Sequence, residues 1–282
     1  MDLLTFCKLH GILISHIPPI GVWKRFPTED HPRSTNGAVK YMGNFAHVQN
    51  HAVMLEPVTW QAEDGQKIDP QLIVRQAKEQ DAKTAKLQRD AASKAAWIVN
   101  QCQTAKHDYL QAKGFPDEQG LVWLNNDTQI LVIPMRIDNR LVGCQLIDME
   151  GDKKFLFGQK TSGAAMVFDN KGAHILCEGY ATGLSVKAAL KSMKRRYTIH
   201  VCFSAGNMVK VAKTLQKGYV VADHDKPNPQ NGTRAGQAAV DSIGWPYWMS
   251  DKEGEDANDA HQRLGLFKFS QSMVRSMPLT TL

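Results

Sequence analysis

The C-terminal part of the sequence alternates short apolar segments with helical patterns, and this alternation restricts the fold more than any other feature. Four segments have the pattern of strands: HILCEG, IHVCFSAG, YVVADHD and WPYWMS. The segments between and after them, at 182–193, 207–216, 233–242 and 255–264, have helical patterns. Strands that are apolar throughout are typical of a parallel sheet covered by helices on both faces. We therefore predict an α/β domain over residues 172–282.

The segment before this domain has a different pattern. Residues 105–171 contain three strand-like stretches, LVWL, ILVIPMRI and LVGCQLID. They are separated by turn-forming residues at 125–127 and 138–140, which predicts antiparallel strands joined by short turns. A basic and aromatic stretch, DKKFLFGQK, follows. We predict a mixed α+β subdomain here.

Two further regions precede that subdomain. Residues 70–104 are rich in Ala, Lys, Gln and Leu, and no Gly or Pro follows Pro70, which predicts a long connecting helix. Residues 1–69 contain prolines between short apolar or aromatic stretches, a pattern typical of a small β-rich module. Within this module, Asn36-Gly37 predicts a hairpin turn because both residue types accept positive φ.

Acidic residues follow two of the predicted parallel strands and precede the last helix. Glu178 ends the first strand, Asp223 and Asp225 end the third, and Asp256 and Asp259 lie in GEDANDAH. In open α/β sheets ligands bind at the carboxyl ends of the strands. Clustered carboxylates repel one another unless a cation neutralises them, and Mg²⁺ or Mn²⁺ prefers such oxygen ligands. An isolated Asp-x-Asp is common in loops and helix caps, but this combination favours a metal-dependent catalytic site.

Charge and cysteine usage restrict the partners and the compartment. The net charge is +6, and residues 187–217 contain eight basic residues and no acidic one. This suits a polyanionic partner, although a solvated helix surface is the alternative. No apolar run of about 18 residues is present, so no membrane span is expected. The five cysteines form no Cys-x-x-Cys pair, so we expect no zinc site and a reducing cytoplasm. Cys144, Cys177 and Cys202 lie in apolar runs and are predicted to be core residues.

Several of these segments resemble a known family. HILCEGYATGLS, VCFSAGNM, VVADHD and GEDANDAH resemble the Toprim domain of phage and plasmid DNA primases, in which Glu-Gly follows the first strand and Asp-x-Asp follows the third. Upstream, HDYLQAKGF and GDKKFLFGQKTSG resemble the basic subdomain of these primases, and KRFPTEDHPRSTNGAVKY resembles their N-terminal module. The resemblance implies a Toprim parallel sheet flanked by helices, preceded by a mixed α+β basic subdomain and a small β-rich N-terminal module that would bind the template.

Two departures from bacterial replicative primases are visible. The sequence lacks a ligand set for their N-terminal zinc ribbon, and Thr182 occupies a position that is Asp in them. Both departures match the phage and plasmid type, which often lacks the zinc ribbon. The substitution at Thr182 removes one possible metal or second-layer ligand.

The resemblance implies a nucleotidyltransferase that synthesises short RNA primers on single-stranded DNA from ribonucleoside triphosphates, with Mg²⁺ or Mn²⁺. Glu178 would act near the 3′-hydroxyl as general base or metal ligand, and Asp223 and Asp225 would hold the metal ions. Asp256 or Asp259 would complete the metal shell. Asp256 is the preferred ligand, and capping of the last helix is its alternative role.

Basic residues of the upstream subdomain are candidates for binding nucleotide or template. Lys153, Lys154 and Lys160 could bind a triphosphate or the template backbone, and Lys113 and Arg136 are weaker members of the same surface. A solvated hairpin is the alternative.

Two further groups have two interpretations each. Lys187, Lys191 and Lys194 are spaced to share one helix face, where they could follow a nucleic-acid backbone or only solubilise the helix. The aromatic residues Trp23, Tyr41 and Phe45 of the N-terminal module could stack on unpaired bases, but core packing is the favoured interpretation.

Other functions remain open at this point. A Toprim nuclease uses similar acids, but the basic upstream segment argues against it. A non-catalytic replication-fork binding protein is opposed by the intact Glu178, Asp223 and Asp225. The sequence contains no G-x-x-x-x-G-K-[ST] loop, so a separate replicative helicase is an expected partner. The expected location is the cytoplasm of a bacterial cell or of a phage-infected host.

Overall fold

The structure is a computed structural model that describes residues 1–62, 70–228 and 232–277. The chain divides into two compact units, Met1–Lys86 and Leu87–Leu282. They are called the N-terminal and the C-terminal unit below.

The N-terminal unit contains one short helix and a four-stranded antiparallel sheet. The helix is α1 (Leu3–Leu9), and the strands lie in the order β1 (Trp23–Phe26), β2 (Gly37–Tyr41), β3 (Phe45–Asn50) and β4 (Val58–Gln61). Asp2 caps α1 by accepting a hydrogen bond from the Thr5 N–H at 2.8 Å. The unit is β-rich, and α1 is an element that the sequence pattern did not predict.

The hairpin turn predicted at Asn36-Gly37 is wrong. Gly37 is the first residue of β2 and lies opposite Phe26 of β1. A Cβ at position 37 would lie 2.8 Å from a side-chain carbon of Ile12, so the glycine is needed for close packing instead of a turn. The turn between β2 and β3 contains Gly43, whose φ is +92°.

A single long helix follows, as the sequence predicts. Helix α2 (Pro70–Gln101) has 32 residues. Most of its described side chains are exposed, whereas Ala95 and Ile98 near its C-terminal end are fully buried. These two pack with Val132 and Cys144 of the C-terminal unit.

After α2, the C-terminal unit continues with an antiparallel sheet. Its strands lie in the order β5 (Gln103–Ala105), β6 (Gly120–Asn125), β7 (Thr128–Ile137), β8 (Arg140–Ile147) and β9 (Lys153–Phe155), and helix α3 (Asp108–Ala112) lies between the first two in the chain. The predicted turns are confirmed. Asn126 and Asp127 have φ values of 47° and 64°, and the pair at 138–139 has 47° and 63°, as two-residue hairpin turns require.

A second five-stranded sheet forms the rest of the unit. Its strands are β10 (Met166–Asp169), β11 (Ala173–Cys177), β12 (Tyr197–Val201), β13 (Tyr219–Ala222) and β14 (Tyr247–Met249), in the order β10-β12-β11-β13-β14. The last four pair in parallel, which confirms the predicted parallel sheet. Strand β10 pairs antiparallel with β12 at the edge of this sheet and was not predicted. The domain therefore includes residues before position 172, where the sequence analysis placed its start.

Helices follow the strands of this sheet. They are α4 (Tyr180–Ser192), α5 (Ala205–Ala212), α6 (Ala235–Ile243), α7 (Ala257–Leu264) and α8 (Leu266–Ser276), the last of which was not predicted. The shared helix face proposed for Lys187, Lys191 and Lys194 is wrong, because α4 ends at Ser192. Lys194 lies beyond the helix end with a φ of 56°, in the left-handed region that stops a helix.

The cysteines are part of the cores. All five are free, and Cys7, Cys144, Cys177 and Cys202 are fully buried. The core positions predicted for Cys144, Cys177 and Cys202 are therefore confirmed. Across the described ranges, no helix combines the length and apolar character that a membrane crossing needs.

Candidate active site

The pairing of β11 with β13 brings two of the predicted acids to one edge of the sheet. These strands are parallel neighbours, and Cys177 lies opposite Val221. Glu178 is the next residue after β11, and Asp223 is the next residue after β13. Both carboxylates therefore lie at the carboxyl edge of the sheet, where α/β folds bind ligands.

Glu178 is held by the start of the neighbouring strand–helix connection. Its backbone carbonyl accepts a hydrogen bond from the Phe203 N–H at 2.8 Å. The backbone N–H of Ala205, the first residue of α5, lowers the pKa of the Glu178 carboxyl group and partly opposes the effect of burial. Phe203 has a φ of 68°, which is unusual for a bulky residue. The chain therefore adopts a costly conformation at the point where it contacts Glu178.

Asp223 carries an unsatisfied oxygen. Its Oδ1 is buried and, within the described part of the chain, has no hydrogen-bond partner. Burial raises the pKa of this carboxyl well above its ordinary value, and the negative charges of Glu178, Asp256 and Asp225 raise it further. A buried carboxylate oxygen without a partner is unfavourable unless a cation or a proton compensates it.

Glu178 has the same electrostatic problem. Burial, and next the charge of Asp225, raise its pKa from 4.5 to about 7. The positive charge of Lys153 acts in the opposite direction on both Glu178 and Asp223. The edge of the sheet thus concentrates negative charge that one lysine only partly offsets.

Asp225 is anchored by the start of α6. Its Oδ2 accepts a hydrogen bond from the Gly236 N–H at 2.7 Å, and its backbone carbonyl accepts one from Nη1 of Arg234 at 2.6 Å. Arg234 also forms an ion pair with Glu253 at 2.5 Å. A Cβ at position 236 would lie 2.2 Å from the Asp223 carbonyl oxygen. Only glycine allows α6 to approach the acidic loop this closely.

Asp256 and Asp259 form a capping box at the start of α7. Oδ1 of Asp256 accepts a hydrogen bond from the Asp259 N–H at 2.8 Å, and Oδ2 of Asp259 accepts one from the Asp256 N–H at 3.3 Å. The charge of Asp256 also raises the pKa of both Glu178 and Asp223. Asp256 therefore caps the helix and belongs to the acidic cluster, whereas Asp259 is engaged in the cap.

A partly buried ion pair holds the loop before α7 in place. Glu255 is 7% exposed, and Nε of Arg263 donates to its Oε1 at 2.8 Å while Nη2 donates to its Oε2 at 2.7 Å. Hydrogen bonds from Arg263, followed by that from Ser250, lower the pKa of Glu255 to about 2 against the effect of burial. The Glu255 carbonyl in turn accepts a hydrogen bond from the His224 N–H at 3.0 Å. This contact ties the loop between Asp223 and Asp225 to the start of α7.

The two adjacent lysines of β9 have different environments. Successive side chains of a strand point to opposite faces, so Lys153 and Phe155 share one face and Lys154 lies on the other. Lys153 Nζ lies 5.9 Å from the centre of the Tyr109 ring, and the Phe155 ring lies 6.1 Å from that of Phe203. The face of Lys153 is therefore the one that faces the acids.

The other basic candidates lie elsewhere in the C-terminal unit. Arg136 and Lys160 line a cavity of about 890 Å³ beside β10 and β12. Lys187 forms an ion pair with Glu118 at 2.6 Å and lies 5.1 Å from the centre of the Phe168 ring. Both contacts engage the positive charge of Lys187 within the protein. The backbone carbonyl of Lys113 accepts a hydrogen bond from Asn258 at 2.9 Å, which connects α3 to α7.

Sequence reasoning missed several groups around the acids. Arg234 and Gly236 are two of them, and the glycine of AGQAA, eleven positions after Asp225, is the pattern that could have identified the close approach. The Tyr109 hydroxyl is the third. It is buried and lacks a hydrogen-bond partner within the described ranges, as does Oγ1 of Thr182, the position that the sequence analysis singled out. No local pattern distinguishes Tyr109 from an ordinary core position.

The donor chemistry of the site fits a hard divalent cation. Carboxylate oxygens are the ligands that Mg²⁺ and Mn²⁺ prefer. The Oδ1 atom of Asp223 is unpaired, and the pKa values of Asp223 and Glu178 are raised. Both observations indicate that the ionised carboxylates are unfavourable here unless a cation neutralises them. Among residues 1–62, 70–228 and 232–277, no three His, Cys, Asp or Glu side chains already form a group that could hold a metal ion. The carboxylates thus lie at one edge of the sheet, but their oxygen atoms do not surround a common metal position.

Comparison with known proteins identifies this region. Residues 173–266 match the family model of the Toprim domain, from the start of β11 to the first residue of α8. All five predicted acids lie within the match. The C-terminal unit therefore contains a Toprim domain. No curated protein matches the sequence.

One solved structure provides a further comparison. It is the crystal structure of the Aquifex aeolicus primase, comprising zinc-binding and RNA polymerase domains, with 16% sequence identity and a TM-score of 0.35. The match covers 76% of this chain and 51% of that chain, so this protein spans about half the length of that primase. A TM-score this low does not establish a shared fold.

Proposed function

We propose that this protein is a DNA primase of the phage or plasmid type that synthesises short RNA primers on single-stranded DNA. The observation that carries the proposal is the pair of adjacent carboxylates, Glu178 and Asp223, within a Toprim domain. The unpaired Oδ1 of Asp223 supports a cation site at this pair. The sequence resemblance of the preceding basic sheet to primases favours a primase over a nuclease.

The residues have distinct proposed roles. Glu178, Asp223 and Asp225 would hold Mg²⁺ or Mn²⁺, and Asp256 would complete the negative cluster. When bound, the cation supplies charge neutralisation at the attacking hydroxyl and the leaving pyrophosphate. Glu178 would act near the 3′-hydroxyl either as a metal ligand or, where its carboxylate is free of the metal, as the general base. Lys153 would bind the phosphates of the incoming ribonucleotide.

The remaining partners follow from this activity. The template would be single-stranded DNA and the substrates ribonucleoside triphosphates. A separate replicative helicase would open the duplex ahead of the primase. With these partners, the protein would act in the cytoplasm of a bacterial cell or of a phage-infected host.

Product analysis tests the proposal directly. The full chain is incubated with circular single-stranded DNA, labelled ribonucleotides and Mg²⁺ or Mn²⁺, and the products are separated on a denaturing gel. We expect short labelled RNA that disappears when EDTA removes the metal. Linearised or shortened DNA without labelled RNA would instead identify a nuclease. Binding with neither product would identify a non-catalytic replication protein.

The two lysines of β9 provide a matched pair of variants. Lys153→Ala is expected to raise the KM for ribonucleotide by about tenfold, because a charge-assisted phosphate contact contributes about 1.5 kcal/mol. Lys154→Ala removes the same charge from the opposite face of the strand and should leave KM nearly unchanged. Steady-state incorporation at varied ribonucleotide concentration measures both. Equal effects of the two variants would contradict the assignment of Lys153.

A further inference from the structure

The N-terminal sheet has one face that is not part of its own core, and on this face Ala38 and Gln49 are buried while Trp23 is exposed. The inner face packs against α1 through five buried strand residues: Phe26, Val39, Ala46, Val48 and Trp60. The strand register places four other residues, Trp23, Lys40, His47 and Thr59, directly opposite one another in a row. Residues opposite one another in antiparallel strands share a face. Because Val39 and Val48, the neighbours of Lys40 and His47, point inward, this row points outward.

Aromatic rings are continuous along this outer face. The Trp23 and His47 rings are stacked at a centroid distance of 6.4 Å and an angle of 26°. The Phe45 ring, two residues from His47 on the same strand, meets it edge-on at 5.4 Å. Trp23 is 41% exposed. Single exposed aromatic residues are common on protein surfaces, but three aromatic rings in contact form a continuous aromatic surface, which suggests a binding role.

The sequence analysis considered three aromatic residues of this module, and the fold separates them. Tyr41 packs against the core of the N-terminal unit, so the favoured interpretation of core packing is correct for it. Trp23 and Phe45 lie on the outer face, where they contact His47. Core packing therefore does not account for these two residues.

The charge of the sheet complements a polyanion. The four strands contain three basic residues and no acidic one. Lys40 lies in the row with Trp23, and Arg25 lies two residues from Trp23, so both share the outer face. Aromatic rings that stack on bases, together with basic residues that contact phosphates, are the features by which proteins bind single strands. A duplex does not fit this surface, because its bases are already stacked on each other.

We propose that the outer face of the N-terminal sheet binds single-stranded DNA. Unpaired bases would stack on Trp23 and Phe45, while Lys40 and Arg25 contact the backbone phosphates. The choice of DNA over RNA rests on the proposed primase function. The stacking surface itself consists only of N-terminal residues and does not depend on the acidic cluster.

Binding is measured with the full chain by fluorescence anisotropy of a labelled oligodeoxythymidine, without nucleotides or divalent metal. Trp23→Ala and Phe45→Ala should each weaken binding at least about fivefold, because stacking of one base on one ring has an effect of this size. The matched control is Trp97→Ala, which removes a tryptophan that is 55% exposed in the other unit. It should bind like the wild type. Lys40→Gln should reduce the salt dependence of binding by about one phosphate contact.

Four further arms make the result decisive. An abasic oligomer of equal length should bind the wild type as weakly as oligodeoxythymidine binds the Trp23→Ala/Phe45→Ala double variant. Trp23→Phe, which keeps a stacking ring, should retain most of the affinity, and circular dichroism checks the fold of every variant. A duplex of the same length should bind more weakly than the single strand. Asp241→Asn, at an exposed position on α6 of the other unit, should bind like the wild type, because it is not part of this surface.

Three results would overturn the proposal. The first is unchanged affinity in a folded double variant, and the second is tight binding of the abasic oligomer. The third is tighter binding of oligouridine than of oligodeoxythymidine, which would reject DNA as the occupant. Each leaves the primase assay unaffected, since that assay reads out RNA synthesis at the Toprim domain. Conversely, a protein that binds DNA through this face and makes no RNA would reject only the primase function.

Discussion

Asp223→Asn is expected to reduce metal-dependent ribonucleotide incorporation by about 10³-fold or more. The substitution keeps the size of the side chain and removes the charge of the carboxyl group whose Oδ1 is buried and unpaired. Loss of a metal ligand removes several kcal/mol of transition-state stabilisation, and about 4 kcal/mol corresponds to 10³ in rate. Initial rates of labelled RNA synthesis at saturating Mg²⁺ measure the effect.

Asp241→Asn is the matched control for this experiment. Asp241 lies on α6 of the same domain, where it is exposed and accepts a hydrogen bond from Gln237 at 2.8 Å. It should leave the rate unchanged. Retention of more than about a tenth of the wild-type rate by Asp223→Asn would mean that the chemistry takes place without this carboxylate.

Without metal, the folded protein should lose stability as the pH rises from about 4.5 to above 7. Glu178 has an ordinary pKa of 4.5 and a folded pKa of about 7, and the pKa of Asp223 is raised as well. A carboxyl group with a raised folded pKa binds its proton more tightly in the folded state, so deprotonation favours unfolding. The effect is absent below the unfolded pKa and complete above the folded one. We expect a loss of about 2 kcal/mol, since partial exposure reduces the full value of the shift.

Mg²⁺ should reverse this loss at pH 7.5 and have little effect at pH 5. At the lower pH the carboxyls carry protons, and at the higher pH they are free to bind a cation. Thermal unfolding in EDTA and in millimolar Mg²⁺ at both pH values gives the comparison. Glu178→Gln should flatten the pH dependence and weaken the response to metal. A melting temperature that does not respond to Mg²⁺ at pH 7.5 would contradict a cation site at these acids.

The parts of the fold that could be predicted from sequence are those with strong local patterns. The apolar strands β11, β12 and β13 and the turns at 126–127 and 138–139 are each encoded within a few neighbouring residues. The position of Glu178 and Asp223 at one edge follows from strand direction alone. These features depend on periodicity and turn chemistry, which act over short distances.

The features that were missed depend on residues far apart in the chain. Strand β10 is a strand because Phe168 pairs with Ile199 across the edge of the sheet. Lys187 was considered a nucleic-acid contact, but its partner Glu118 lies 69 positions earlier in the sequence. Gly37 had the pattern of a turn, and the packing of Ile12 places it inside a strand. Tertiary contacts decide each of these cases, and no window of sequence contains them.

The distribution of buried cysteines has a practical consequence. A buried thiol reacts with an alkylating reagent only when the structure around it opens. Cys7 lies on the buried face of α1, whereas Cys177 ends β11 and Cys202 directly follows β12, at the sheet edge that carries the acids. The alkylation rate at Cys7 therefore reports opening of the N-terminal unit, and the rates at Cys177 and Cys202 report opening of the Toprim sheet. The natural sequence thus contains a separate thiol-exchange probe of local unfolding in each unit.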